Sequence, residues 1–306
     1  MALMARVSVI MPCFNHALFV RESIEAVLTQ SVRDLELIVV DDCSRDGSKE
    51  VIKECISHDH RARAIYHEAN LGASRSRNDG MVIAHGEYVA FCDADDVWMP
   101  TKLERQLELL ERHPAHGVAY CDAGIINEYG METGERFSDQ FPVPGNGSGR
   151  LFDELCTRNF VNMQTVVLRR KCIVDAGYFD ESVKWVEDWL FWLKVSFDYS
   201  FIYADEVLAK YRVHERSTGR VQRRGYKINR VKVFHRTLRN YPGISSKLKA
   251  GIFYHLGVAL IGLGKRKYAN RCFIRSMKFQ RMNVRALCGL LLSLSKAPSR
   301  QLQSSH

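Results

Sequence analysis

The sequence predicts an α/β protein: a mostly parallel sheet with helices on both faces, followed by a helical carboxy-terminal appendage. Three observations predict it. Short β-branched apolar runs alternate with helical periodicities through residues 7–110. Carboxylates collect where apolar runs stop, at Asp41-Asp42 and at Asp93, Asp95 and Asp96, which is where the carboxyl ends of parallel strands would lie. From about residue 225 the pattern is helical only.

The elements follow in order. Residues 7–11 are apolar and β-branched and predict a strand. Leu18, Ile24, Val27 and Leu28 lie at helical spacing within 17–29. Residues 35–40 predict a second strand, 48–56 a helix, 64–67 a short strand, 74–84 a helix, and 88–92 a buried strand. Pro100 suits the first turn of a helix through Leu103, Leu107 and Leu110. Residues 121–149 are rich in Gly, Pro and polar side chains and predict a variable loop. A strand at 164–168 and a helix at 170–176 ending at Gly177 come next. Glu187-Asp188-Trp189 then opens an amphipathic helix through Leu190, Leu193 and Phe197, and a strand at 207–210 precedes Tyr211-Arg-Val-His214.

In the appendage, residues 254–264 with Ala269, Phe273, Ser276 and then 283–287 resemble one tetratricopeptide-like hairpin. Gly257, Ala259 and Gly264 would let its helices approach closely. One such unit cannot bury its own face and must dock on something. Residues 287–294, flanked by Arg285, Lys296 and Arg300, predict a short apolar basic helix. Its possible destinations are an anionic membrane surface, the catalytic domain or a second copy in a homodimer.

Composition bounds the function. The 306 residues are 46% hydrophobic, enough for a sizeable core. Nine cysteines without a CxxC pair read as reduced thiols, not as a disulfide framework or zinc site. Residues 1–6 run directly into a strand without a signal peptide, and no apolar stretch reaches the roughly 18 to 20 residues of a span. A cytoplasmic protein, peripheral at the inner face of the plasma membrane, is expected. The net charge of +9 is concentrated between residues 212 and 300, including Arg216, Arg220, Arg223 and Arg224. No RNA- or DNA-binding motif accompanies it, so nucleic acid is not an expected partner.

The chemistry centres on Tyr88-Val-Ala-Phe-Cys-Asp-Ala-Asp-Asp-Val97. Carboxylates crowded at a strand end repel and cost desolvation, unless a hard cation or a proton-transfer role compensates. The segment therefore reads as a divalent-metal site facing a phosphate-bearing substrate; a solvated acidic turn is the plainer reading. Neither GxGxxG nor GxxxxGK[ST] is present. Asp93-Ala-Asp95-Asp-Val97 resembles the first motif of haloacid-dehalogenase-type phosphatases, but those carry it on their first strand, and here it follows about the fourth.

A broader resemblance rests on Val7-Ser-Val-Ile-Met-Pro-Cys-Phe-Asn15, Val39-Val-Asp-Asp-Cys-Ser-Arg-Asp-Gly-Ser48, Asn70-Leu-Gly-Ala-Ser-Arg-Ser-Arg-Asn78, Asp93-x-Asp95, Val186-Glu-Asp-Trp189 and Tyr211-Arg-Val-His214. In this order the chain resembles inverting family-2 glycosyltransferases of GT-A fold, over roughly residues 5–218. The resemblance implies a GT-A domain at 1–218 and a helical region at 219–306. It implies transfer of a sugar from a nucleotide sugar, a UDP-sugar first, to a saccharide or lipid-linked acceptor in surface polysaccharide or glycoconjugate assembly. Mn²⁺ or Mg²⁺ is the implied cofactor. A metal-dependent phosphatase and a non-catalytic nucleotide-sugar-binding protein are the alternatives.

Roles implied by the resemblance are as follows. Asp42 accepts the imide N–H of uracil, with Asp41 supporting the loop. Pro12 and Phe14 lie beside the base, and Asn15 belongs to the same nucleotide-binding loop; its structural reading is a cap for the first helix. Asn70 lies on the nucleotide side, and Gly72 reads as a tight turn or as a close backbone approach to the nucleotide. One of Arg75 and Arg77 approaches the nucleotide or its phosphates and the other is a surface or fold-stabilising residue, and the sequence does not separate them. Asp93 and Ala94 sit at the ribose. Asp95, Asp93 and His214 hold the metal, and Asp96 extends the cluster. Arg212 and Ser217 contact phosphate. Asp188 is the general base and Glu187 positions it or the acceptor. Processive synthases of the family carry QxxRW followed by membrane spans. Gln222-Arg-Arg-Gly-Tyr226 echoes the motif without the Trp, so transfer of one or a few sugars is expected.

Overall fold

The computed structural model describes residues 5–215, 217, 223–280 and 283–294. Its strands are β1 (Val7–Cys13), β2 (Leu35–Asp41), β3 (Ala62–Tyr66), β4 (Tyr88–Phe91), β5 (Val97–Trp98), β6 (His116–Asn127), β7 (Glu132–Arg136), β8 (Val166–Arg169) and β9 (Ser200–Val213). The helices of the first part are α1 (Val20–Leu28), α2 (Ser48–Ile56), α3 (Ala73–Ile83), α4 (Lys102–Arg112), α5 (Phe137–Gln140), α6 (Phe152–Leu155), α7 (Arg170–Ala176) and α8 (Glu187–Asp198). Four more follow: α9 (Arg223–Asn240), α10 (Ser246–Ile261), α11 (Arg266–Phe279) and α12 (Val284–Leu294).

The sheet order is β3-β2-β1-β4-β8-β6-β9-β5, with β7 pairing β6. β1 runs parallel to β2 and β4, and β2 parallel to β3. Strands covered by helices on both faces must be apolar on both, and β1 and β2 are almost continuously so. β8 reverses direction against β4 and β6. The loops after β1, β2 and β4 consequently open at one end of the sheet, bringing residues 14–16, 42 and 93–96 together although they are far apart in sequence.

Three expectations are corrected. The stretch 121–149 is not one irregular loop: β6 carries its apolar pattern through Ala123, Ile125 and Ile126, and β7 folds back on it. Asp122 hid this strand. It is buried at a register shift between β6 and β9, where it accepts bonds from the Ala123 and Ser138 amides and from Ser138 Oγ. The strand at 207–210 is the middle of the longer β9, which absorbs Tyr211, Arg212 and Val213. Helix α8 is not amphipathic in its first turns, since Trp189 through Leu193 are all buried.

Burial on all sides follows from the appendage. Val233, Phe234, Leu248, Ile252, Phe253 and Leu256 belong to the same apolar core as Trp189, Leu190 and Leu193. The Phe234 and Trp189 rings meet edge-on at 5.3 Å. The helical unit thus docks on α8. The expected division at residue 218 falls outside the described residues, and the core is continuous on either side of it. Within the unit, Phe273 lies between Gly257 and Gly289, where an added Cβ would stand 2.5 and 2.8 Å from the ring. Gly264 has no such neighbour; its φ of +74° turns the chain between α10 and α11. Arg216, Arg220, Gln222, Lys296 and Arg300 lie outside the described residues.

Candidate active site

The loop after β1 is tied to the loop after β2. The Asn15 amide donates to Ser44 Oγ at 2.9 Å, and Asn15 Oδ1 accepts the Arg45 amide at 2.8 Å. Asn15 does this from the left-handed region, φ +58°, which asparagine tolerates. It does not cap α1, whose N-cap is Phe19 without a side-chain bond. Pro12 pairs with Val40 in the sheet, and Phe14 stays exposed at the rim.

Asp42 is buried and organises the turn that precedes α3. Its Oδ1 accepts the Leu71 amide at 2.8 Å and meets His67 Nδ1 at 2.8 Å; its Oδ2 accepts the Gly72 amide at 2.7 Å. Gly72 takes φ +93°, a backbone state that a side chain would strain. Asn70 Nδ2 donates to the Asp42 carbonyl at 3.4 Å. Asp41 accepts the Ser44 amide through Oδ2, while its buried Oδ1 has no partner.

Helix α3 separates the two arginines. Arg75 is exposed and pairs with Asp79 one turn on. Arg77 is buried and donates to Asp93 Oδ1 at 2.7 Å and to Glu187 Oε1 at 3.0 Å. Burial works against its charge, but Asp93 and Glu187 outweigh it and hold the guanidinium protonated. Asn78, next in the helix, exchanges bonds with the backbone of Phe179 and donates to Glu181. One helix turn therefore fixes the segment that leads to Glu187 and Asp188.

After β4 the acidic motif divides. Ala94 is buried. Asp95 Oδ2 meets His214 Nε2 at 3.0 Å. Burial would raise the Asp95 carboxyl, but the His214 bond and the nearby His16 and His214 outweigh it, so it lies below the ordinary range. Asp93 does not join this group, because Arg77 holds it. Asp96 turns inward, accepts the Arg212 amide at 2.8 Å, and is pushed well up by burial and by Asp95 and Asp93.

Arg212 and Ser217 are not placed as phosphate contacts. Arg212 is 2% exposed; its guanidinium bonds the Asp95 carbonyl at 2.8 Å and pairs with Glu22 at 2.5 Å. Ser217 Oγ accepts the His214 amide at 3.0 Å. Both residues hold the Asp95–His214 side of the site from behind.

His16 is the residue that sequence reasoning missed. Its imidazole, Asp95 and His214 place one ligand atom each within 4.8 Å of one another. His16 Nδ1 is buried without a hydrogen-bond partner. Two imidazoles and a carboxylate suit Mn²⁺ better than Mg²⁺, which prefers oxygen alone. The residues present therefore fit a divalent ion. No sequence spacing connects positions 16, 95 and 214; the only signal was that His16 adjoins the Asn15 motif.

Asp188 opens α8. Its Oδ1 accepts the Trp189 amide at 2.7 Å and its Oδ2 accepts Asn159 Nδ2 at 2.9 Å. Burial first, and then the charge of Glu187, push its carboxyl up to about 7. A base of that strength is matched to taking a proton from a hydroxyl near neutral pH. Asn159 was also missed, since it lies in a stretch without pattern. The appendage reaches this point too: Gly225, at the start of α9, packs on Trp185, where a Cβ would meet the ring at 2.3 Å.

A cation-ready cluster at the strand ends, with an acidic helix start tied to the same loop through Arg77 and Asp93, fits the GT-A class of sugar-transferring folds. The family model described as glycosyl transferase family 2 matches residues 8–189. The chain belongs to that family. The phosphatase alternative falls with this assignment. The chain is 31% identical over 216 residues to the glycosyltransferase MJ1057 of Methanocaldococcus jannaschii, covering 69% of this chain and 71% of that one. It is 42% identical over 104 residues to a Bacillus subtilis protein named as a teichuronic acid biosynthesis glycosyltransferase, TuaG, covering 34% of this chain and 41% of TuaG. Among solved structures, S. aureus TarS 1-349 superposes with a TM-score of 0.63 at 17% identity, covering 90% of this chain and 80% of that one. The mannosyltransferase PcManGT of Pyrobaculum calidifontis, in complex with GDP-Man and Mn²⁺, gives 0.61 at 17%, covering 97% and 89%.

Proposed function

We propose that this glycosyltransferase moves a sugar from a nucleotide sugar, a UDP-sugar first, to a hydroxyl of a saccharide or lipid-linked acceptor with inversion. The carrying observation is the Asp93–Arg77–Glu187 chain at 2.7 and 3.0 Å. It sets the donor side of the site and the base side at fixed ends of one buried guanidinium. Asp188 removes the acceptor proton as the hydroxyl attacks the anomeric carbon opposite the nucleotide, and a single displacement follows. Glu187, held by Arg77, keeps Asp188 oriented and raises its basicity. His16, Asp95 and His214 would hold Mn²⁺, which supplies Lewis-acid stabilisation of the leaving diphosphate when bound. Asp42 shapes the base pocket through the 70–72 turn, and its Oδ2 retains a lone pair for an imide N–H. Arg75, Pro12, Phe14, Asn70 and Ala94 complete the nucleotide side.

Solved relatives in fold support this donor class: TarS 1-349 has been determined with UDP and with UDP-GlcNAc, and PcManGT with GDP-Man and Mn²⁺. The test is a thermal-shift screen of UDP-, GDP- and dTDP-sugars with and without Mn²⁺. The expected result is Mn²⁺-dependent stabilisation by UDP-sugars. Stabilisation by GDP-sugars alone overturns the choice of base, and metal-independent stabilisation overturns the metal assignment.

A further inference from the structure

We propose that the carboxy-terminal appendage is a docking surface for an anionic lipid bilayer. From residue 216 to the end, the chain holds 21 Lys and Arg and no Asp or Glu. The preceding residues hold 23 Lys and Arg against 35 Asp and Glu. The molecule is thus two-signed, an acidic catalytic part joined to a wholly basic tail. An anionic surface attracts one end and repels the other, which orients the protein as well as binding it.

Helix α12 supplies the apolar element. Ala286, Gly289 and Ser293 are buried toward α11, where Gly289 meets Phe273 and Ser293 Oγ bonds Asn270. The opposite face carries Val284, Leu287, Leu291 and Leu294, which are 62%, 46%, 58% and 64% exposed. Their spacing of three, four and three residues places all four on one side of the helix. Beside it, α11 exposes Lys267, Arg271, Ile274 and Lys278 at spacings of four, three and four, a second stripe with three cations. Leucines at the acyl boundary with lysine and arginine among headgroup phosphates is the arrangement of a helix lying in a membrane interface. Among the described residues no helix is long and apolar enough to cross a membrane, so the surface lies on the bilayer.

Other occupants meet less of this chemistry. A symmetric pair of copies joined through this face would bring cations against cations, with no carboxylate in the segment to offset them. A nucleic acid would meet the cations and leave the leucines in water.

The experiment is cosedimentation of the full chain with vesicles of phosphatidylcholine alone and with about 30% phosphatidylglycerol, at low and high salt. Binding is expected only with phosphatidylglycerol, falling at least about tenfold at high salt. Leu287→Asp with Leu291→Asp changes exposed positions and should weaken binding by about tenfold or more while leaving the melting temperature unchanged. Lys267→Glu, Arg271→Glu and Lys278→Glu together should do the same through charge alone. Failure to bind phosphatidylglycerol vesicles at low salt overturns the proposal. So does equal binding by parent and leucine variant, or a parent dimer that the leucine variant dissolves while neither form binds vesicles.

Discussion

Replacing Asp188 by Asn should slow the reaction and reverse the sign of a stability difference with pH. The folded chain raises this carboxyl from an ordinary 3.8 to about 7. Between those values the folded state holds more protons than the unfolded one, so stability falls as pH rises through the window, and the cost is fully present above pH 7. Three units at 1.36 kcal/mol each set an upper bound on the order of 4 kcal/mol. An effective dielectric above that of a dry interior reduces this to about 2 kcal/mol. The amide also loses something. Asp188 accepts from two donors, Trp189 N and Asn159 Nδ2. An amide turns its NH₂ toward one of them, at about 1 kcal/mol. Asp188→Asn should therefore be more stable than the parent by about 1 kcal/mol at pH 8 and less stable by about 1 kcal/mol near pH 4. In a chain of this size each kcal/mol moves the melting temperature by about 2 °C. Turnover should fall by ~10²- to 10⁴-fold. The parent rate should climb with pH up to about 7 and then level, and the variant profile should be flat. The assays are nucleotide release from the donor found by the screen and melting curves across pH. A melting difference of the same sign at both ends, or turnover within tenfold of the parent, refutes the reasoning.

His16→Ala should weaken Mn²⁺ binding by about 100-fold in calorimetry without metal-independent loss of fold; unchanged affinity removes His16 from the site. Arg77→Ala leaves Asp93 and Glu187 facing each other without their shared cation and should cost about 3 to 5 kcal/mol in denaturant unfolding. Arg77→Lys should not restore it, since a single ammonium lacks the two separate nitrogens that reach the two carboxylates. Gly257→Ala gains about 1 kcal/mol of helix propensity, but its methyl would stand 2.5 Å from the buried Phe273 ring. Overpacking costs about 1 to 3 kcal/mol, so a net loss is expected, and a raised melting temperature would contradict it.

Local pattern alone carried the sequence reading a long way. Apolar runs bounded by helical periodicities give β1, β2 and β4 with α1 to α3, because burial of parallel strands on both faces leaves a continuous apolar signature. The ordered motifs gave the family, since six of them, from residues 7–15 to 211–214, follow one another in a single order along the chain. Tertiary structure decided what depends on neighbours distant in sequence. It separated Arg77 from Arg75, because only the fold brings Asp93 and Glu187, 16 and 110 positions away, to one guanidinium. It drew Asp93 away from the cation cluster and put His16 there in its place, since three strand-end loops converge at one edge of the sheet. It extended β9 through Arg212, whose charge made it look like a phosphate contact until burial beside Glu22 and the Asp95 carbonyl gave it another task. A charged residue carries no local sign of the partner that awaits it across the fold; side-chain pairing at long range is the part of the physics that one-dimensional spacing does not encode.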